Sequence, residues 1–191
     1  MQQQQRRQEI NISPLEIAEG KHLGVEATRY PVGLWYKGRE KEVTINYDEV
    51  IPEITVGSVP VTKVDMNLIK KEGFGALLDL CTDQENEARW AKERGIEFLS
   101  EYVHDGHTPT QAQYHRITEW IDEQIRAGRK VYIHCHAGAG RAPTVTTAYL
   151  VRYRGMTTDE ALEVLREKRR HHIVSRYQVL GLRTFENTLS A

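Results

Sequence analysis

The chain has 191 residues, enough for one domain with a substantial core plus an extension. Its 26 basic and 27 acidic residues leave a formal charge of -1, so no global field recruits nucleic acid or an anionic membrane. No apolar run suits a membrane span or a signal-peptide core, and two cysteines, Cys81 and Cys135, are too few for a secreted disulfide framework. These features predict a soluble, cytoplasmic protein, expected to be a monomer.

Residues 1–8 are glutamine-rich with Arg6-Arg7, a polar tract predicted to be a disordered tail. Residues 9–46 form an N-terminal extension. Within it Leu34-Trp35-Tyr36 and Val43-Thr44-Ile45 flank Lys37-Gly38-Arg39, a hairpin pattern. Trp35 and Tyr36 are expected to cover the core, the alternative being an aromatic platform beside an active site.

Residues 47–191 read as the main domain. The run Ile51 to Ser58 opens it, and Thr62 is placed to cap a helix through Lys71, with Gly73 as its stop. Phe74 to Cys81 reads as a strand buried on both faces. Asp83 to Arg94 reads as a charged surface helix, and Ile96 to Val103 as another strand. Thr108-Pro109-Thr110-Gln111 has the shape of a capping box with proline at the first helical position, opening a helix to Ala127. It would bury Tyr114, Ile117, Ile121 and Ile125, and Gly128 ends it.

Val131-Tyr132-Ile133 begins a strand, Gly138 and Gly140 mark a loop, and Pro143 fits the first turn of a helix through Arg154. Thr157 with Glu160 predicts a further capped helix, with Ala161, Leu162 and Leu165 inward and Arg166, Lys168, Arg169 and Arg170 outward. Ser175 caps the last helix, along which Val179, Leu182, Phe185 and Leu189 recur at helical spacing. Strands alternating with helices predict an α/β fold: a mainly parallel central sheet flanked by helices on both sides. Chemistry in such sheets gathers beyond the carboxyl ends of the strands, where Cys135, Cys81 and the segment after Val103 all fall.

The strand–loop–helix at 131–144 is an anion cradle by construction, because unpaired N–H groups and the helix dipole face the loop. Cys135 would sit at its floor, where that field favours thiolate, a nucleophile at neutral pH. Arg141 follows six residues later and offers a planar fork matched to two phosphoryl oxygens. The implied chemistry is phosphoryl transfer to sulfur and hydrolysis of the phosphocysteine. Neither a metal nor an organic cofactor is implied.

His134-Cys135-His136-Ala137-Gly138-Ala139-Gly140-Arg141 resembles the H-C-x-x-G-x-x-R loop of cysteine-dependent dual-specificity and protein tyrosine phosphatases. The fold this implies is the protein tyrosine phosphatase-like α/β domain, and the run Ile51 to Ser58 is similar to that family's entry strand, which ends in a Gly-Ser pair. The resemblance makes Cys135, Arg141 and Asp105 the catalytic set. It gives His136, Ala137, Gly138, Ala139, Gly140 and Arg141 to substrate binding, and His134, Thr144 and Cys81 to support. Asp105, thirty residues before Cys135 in His104-Asp105-Gly106-His107-Thr108-Pro109, is the expected general acid, with His104 and His107 as competing acids.

Three further readings rest on the same resemblance. Ala142 stands where the family usually has Ser or Thr, which predicts a slowed second step; Gly-Arg-Ala-Pro is similar to plant glucan phosphatases, and Thr144 is a candidate substitute hydroxyl. Cys81, next to the expected active site, is a candidate for a reversible disulfide with Cys135. The loop after the basic run Arg166 to His172 approaches the pocket in the family, which would bring Arg169, Arg170 or His172 towards a polyanionic substrate. The expected substrates are phosphotyrosine and phosphoserine/threonine in proteins, or a small phosphomonoester. Phosphoglucan or inositol phosphate/phosphoinositide substrates are the alternative, and a non-catalytic phosphate-binding scaffold is the alternative of another class.

Overall fold

The computed structural model describes residues 43–81, 86–170 and 172–190. The predicted tail, the extension up to residue 42 with Trp35 and Tyr36, and positions 83–85 of the predicted surface helix lie outside the described residues. Residues 43–46, the end of the predicted hairpin, are not in a strand.

Five strands among the described residues form one sheet: β1 (Tyr47–Ile51), β2 (Ile54–Ser58), β3 (Phe74–Asp79), β4 (Glu97–Ser100) and β5 (Lys130–Cys135). Their order is β1-β2-β5-β3-β4. β1 is antiparallel to β2; every other pair is parallel. The β1–β2 turn at Pro52-Glu53 splits what the sequence suggested was one strand from Ile51. Six helices are described: α1 (Lys63–Lys71), α2 (Glu87–Glu93), α3 (Gln111–Arg126), α4 (Arg141–Arg154), α5 (Thr158–Lys168) and α6 (Arg176–Leu189).

Alternation along β5 divides the molecule into layers. Val131, Ile133 and Cys135 join the larger core with Ile117 of α3 and Val145 of α4. Tyr132 faces the other way, packing with Met66 and Ile69 of α1 and Trp90 of α2. Burying an aliphatic side chain of this size contributes ~1.5–3 kcal/mol, so the two cores fix β5 firmly between its neighbours.

Four helices begin with a reciprocal capping box: Thr62/Asp65, Thr110/Gln113, Thr157/Glu160 and Ser175/Gln178. The cap of α3 is therefore Thr110, not Thr108. Thr108 is buried and hydrogen-bonds the Tyr114 hydroxyl at 2.9 Å, so its side chain is committed to the interior. The pairings Ser58 with Cys135 and Asp79 with His134 bring three strand ends level. The sequence-predicted residues converge at that edge.

Candidate active site

The loop His136–Gly140 joins β5 to α4, and each of its carbonyls is held from outside. His136 O accepts from Val59 N (3.1 Å), Ala137 O from Arg169 Nη2 (3.3 Å) and Gly138 O from Arg169 Nε (2.6 Å). Ala139 O accepts from Ile173 N (2.6 Å), and Gly140 O from Thr144 N (3.0 Å) and Thr144 Oγ1 (2.8 Å). In a trans peptide the N–H points opposite to the C=O. Pinning five carbonyls outward therefore turns the N–H groups of Ala137 to Arg141 inward, a nest for an anion at the N-terminus of α4.

Gly138 is required at its position. Its φ is +68°, and an added Cβ would lie 2.3 Å from Gly57 O. Gly57 is itself constrained, because a Cβ there would lie 2.0 Å from the Tyr132 hydroxyl, which donates to Ser58 O at 2.9 Å.

Cys135 ends β5 at the floor of this nest and is 3% exposed. Arg141, 4% exposed, is aimed by two carbonyls: Nη1 donates to Val103 O (2.9 Å) and Leu80 O (3.4 Å). Nη2 lies 3.2 Å from Asp105 Oδ1, and the buried Nε has no partner among the described residues. The fork is thus oriented by the ends of two segments, leaving donors for a phosphoryl group.

Asp105, the expected acid, follows β4 and the segment through Val103, with its side chain 64% exposed. The Nδ1 atoms of His104 and His107 both lie against the Asp105 carbonyl (3.2 and 3.0 Å), and the two rings are 4.4 Å apart. The loop is tethered behind them: Gln178 Nε2 donates to His107 O (3.1 Å), and Gly181 leaves space for Thr108. Its carboxylate tip remains open to solvent, able to meet a leaving oxygen.

His134 is fully buried on the opposite face of β5, with Nε2 2.6 Å from Glu87 Oε1. Burial alone would strip its proton; Glu87, and then Asp79, outweigh that and hold the imidazole protonated above its ordinary range. Glu87 is 1% exposed, and burial raises its carboxyl above the usual carboxylate range despite His134. The predicted surface helix therefore contributes a buried acid to the underside of the site. Only a helix placed over β5 makes that visible; the local sequence Glu85-Asn86-Glu87-Ala88 reads as solvent-facing.

Cys81 is fully buried at the end of β3, and both cysteines are free. Its N–H donates to Asp79 Oδ1 at 2.7 Å. Burial, and secondly the Asp79 carboxylate, push its thiol far above the ordinary range. Asp79, Cys81 and His134 place ligand-type atoms within 4.8 Å of one another, a grouping the sequence spacing did not reveal. Their known bonds run to one another's backbone, to Ser100 Oγ (3.1 Å) and to Glu87, knitting the strand ends together.

Two expectations need correction. Arg169 does not point outward to a substrate: it is 1% exposed and lies beneath the 136–140 loop. Its guanidinium donates to the Gly138 and Ala137 carbonyls, which favours burial over the solvent its neighbours see. Arg170 is exposed, and His172 Nδ1 lies 2.8 Å from Arg169 O. The Thr144 hydroxyl, the candidate substitute for the missing Ser or Thr, instead donates to Gly140 O. It supports the loop, while Ala142 stays fully buried.

Residues 56–188 match the dual specificity phosphatase catalytic domain. The chain belongs to that family. As a dual specificity phosphatase domain it is a hydrolase of phosphoric monoesters, with the α/β fold of this group. It is similar to mouse phosphatidylglycerophosphatase and protein-tyrosine phosphatase 1, at 24% identity over 151 residues covering 76% of this chain and 78% of that protein. It is similar to the Caenorhabditis elegans tyrosine-protein phosphatase vhp-1, at 34% identity covering 73% of this chain but 21% of that longer protein. The crystal structure of Tk-PTP in its active form superposes with a TM-score of 0.69 at 29% identity, covering 74% of this chain and 96% of that one. No described helix is long and apolar enough to cross a membrane.

Proposed function

We propose that this phosphatase acts through a phosphocysteine and takes phosphotyrosine and phosphoserine/threonine in proteins as its substrates. The observation that carries this reading is the loop of five outward-pinned carbonyls with Cys135 at its floor and Arg141 aimed across it. Cys135 Sγ attacks phosphorus as the ester P–O bond breaks, and Asp105 delivers a proton to the departing oxygen. The three equatorial oxygens take hydrogen bonds from the loop N–H groups and Arg141 as charge spreads onto them. Water then attacks phosphorus, Asp105 takes its proton, and the thiolate departs. A monomer working in the cytoplasm belongs to the same reading.

A second reading has its own support. Ile173, whose N–H holds Ala139 O, carries a side chain 74% exposed beside the loop. An apolar rim favours a phosphate borne on a lipid, such as a phosphoinositide, and one relative is named for a lipid phosphatase activity as well as a protein one. Phosphate release from a panel of phosphopeptides, phosphoglucan and phospholipid vesicles decides between them. Wild type is expected to hydrolyse phosphopeptides fastest, Cys135→Ser to be inactive, and Asp105→Asn to lose about 10²–10⁴-fold, the contribution of a positioned acid. Preference for the vesicles transfers the assignment to lipid; equal activity of Cys135→Ser overturns the phosphocysteine.

A further inference from the structure

Arg169 is the largest fully buried side chain described, and nothing in the chemical steps above uses it. It is the C-terminal cap residue of α5, where the backbone leaves the helix with φ -127° and ψ 87°. That exit throws the side chain back under the loop. The guanidinium then bridges two parts of the chain far apart in sequence. On one side Nε and Nη2 donate to Gly138 O (2.6 Å) and Ala137 O (3.3 Å). On the other, Nη1 donates to Asp48 Oδ2 (2.7 Å) and Nη2 to Asn46 Oδ1 (2.6 Å).

The consequence follows from peptide geometry. The carbonyl of Ala137 shares a peptide plane with the N–H of Gly138, and that of Gly138 with the N–H of Ala139. Holding both oxygens on one guanidinium fixes both N–H groups towards the opposite side, where the anion nest opens. The other loop carbonyls are held by backbone groups, with the Thr144 hydroxyl as a helper; among the described residues, those of Ala137 and Gly138 are held by this one side chain. Gly138, at positive φ, is also the loop residue whose peptides resist rotation least.

We propose that Arg169 is the positioning residue of the phosphate loop, and that Asn46 and Asp48 act through it as part of the active site although neither faces substrate. The edge of the sheet thereby sets the affinity of the loop for a tetrahedral or trigonal oxyanion. The planar fork is essential: two diverging carbonyls and two acceptors on the far side need several donors at fixed angles, which an ammonium on a flexible stem cannot reproduce. The loss should therefore appear in oxyanion binding, not merely in folding. This rests on reading the 136–140 loop as the phosphate cradle.

Vanadate inhibition of p-nitrophenyl phosphate hydrolysis, with thermal denaturation of the same samples, tests it. In Arg169→Lys, which keeps the charge, the vanadate inhibition constant is expected to rise about tenfold to a hundredfold, comparable to losing part of an oxyanion hole. In the double variant Asn46→Ala/Asp48→Asn, at residues that are not fully buried and sit outside the loop, it should rise severalfold in protein that remains folded at the assay temperature. A purely structural role would lower the melting temperature and leave the inhibition constant of the folded protein unchanged. Wild-type vanadate affinity in both variants overturns the proposal. Where Arg169→Lys does not fold, the double variant alone decides in the same way. Failure of the wild type to bind vanadate overturns the cradle assignment instead.

Discussion

Two glycines in one loop should respond very unequally to the same substitution. At Gly138, alanine must take a φ of +68°, which costs roughly 1–2 kcal/mol for a residue with a Cβ. Its Cβ would also lie 2.3 Å from Gly57 O and 2.5 Å from Arg169 Nη2. A backbone oxygen offers no rotamer to escape into, so the loop must move, adding about 1–3 kcal/mol as overpacking does. Together this is about 2–5 kcal/mol, or a fall in melting temperature of roughly 5–20 °C for a chain of this size. Domains of this kind hold ~5–15 kcal/mol, so above the low end of that range the variant remains mostly folded at 25 °C. Activity should fall further than stability, by about 10²–10³-fold, because the displaced peptides are those that supply oxyanion donors. At Gly140 φ is -116° and the nearest atom to an added Cβ is Gln178 Nε2 at 3.5 Å, ordinary contact. Gly140→Ala should stay within about 1 kcal/mol of wild type and keep most of its activity. Calorimetry and initial rates on both variants check this. Equal losses at the two positions would refute the claim that Arg169 and Gly57 dictate the loop's shape.

Other outcomes follow from the groups beneath the loop. Glu87→Gln removes the charge that keeps His134 protonated; the stability linked to His134 is complete below about pH 6.5 and is lost as pH rises through its elevated native value. Wild type should therefore lose melting temperature from pH 6 to 9 more steeply than Glu87→Gln, and parallel curves count against the pair. Ala142→Ser restores the hydroxyl usual in the family; rapid-quench kinetics should show a burst in wild type that shrinks in the variant, and a wild type with no burst defeats the idea. Peroxide should oxidise Cys135 to the sulfenic acid, after which the Cys81 thiol displaces water to form a disulfide. Dithiothreitol should then restore wild type but not Cys81→Ser. Identical irreversible loss in both removes Cys81 from any protective role.

What the sequence disclosed and what it withheld divide along one physical line. Cys135, the loop glycines and Arg141 lie within seven consecutive positions, so the cradle could be read locally; Asp105 was singled out as the expected acid by its place after a strand end together with the resemblance. The four capping boxes were likewise local, and the one misplaced cap, Thr108 for Thr110, arose because the Thr108 hydroxyl answers to Tyr114, six residues on, and to space left by the distant Gly181. Glu87 and Arg169 escaped for the reverse reason. Each is a charged residue in a charged run, and the partner that buries it lies 47 and 31 residues away, respectively. Composition assigns such residues to solvent because an unpaired buried charge is costly, and only the fold reveals that the pairing exists. Polar residues of this kind carry no periodic signal, yet they hold the Cys135 strand from below and its loop from the side. A search for them from sequence would have to ask which charge a neighbouring backbone needs, not which face of a helix it occupies. For Arg169 that need is stated by Gly138, whose outward carbonyl requires a donor wherever the chain can bring one.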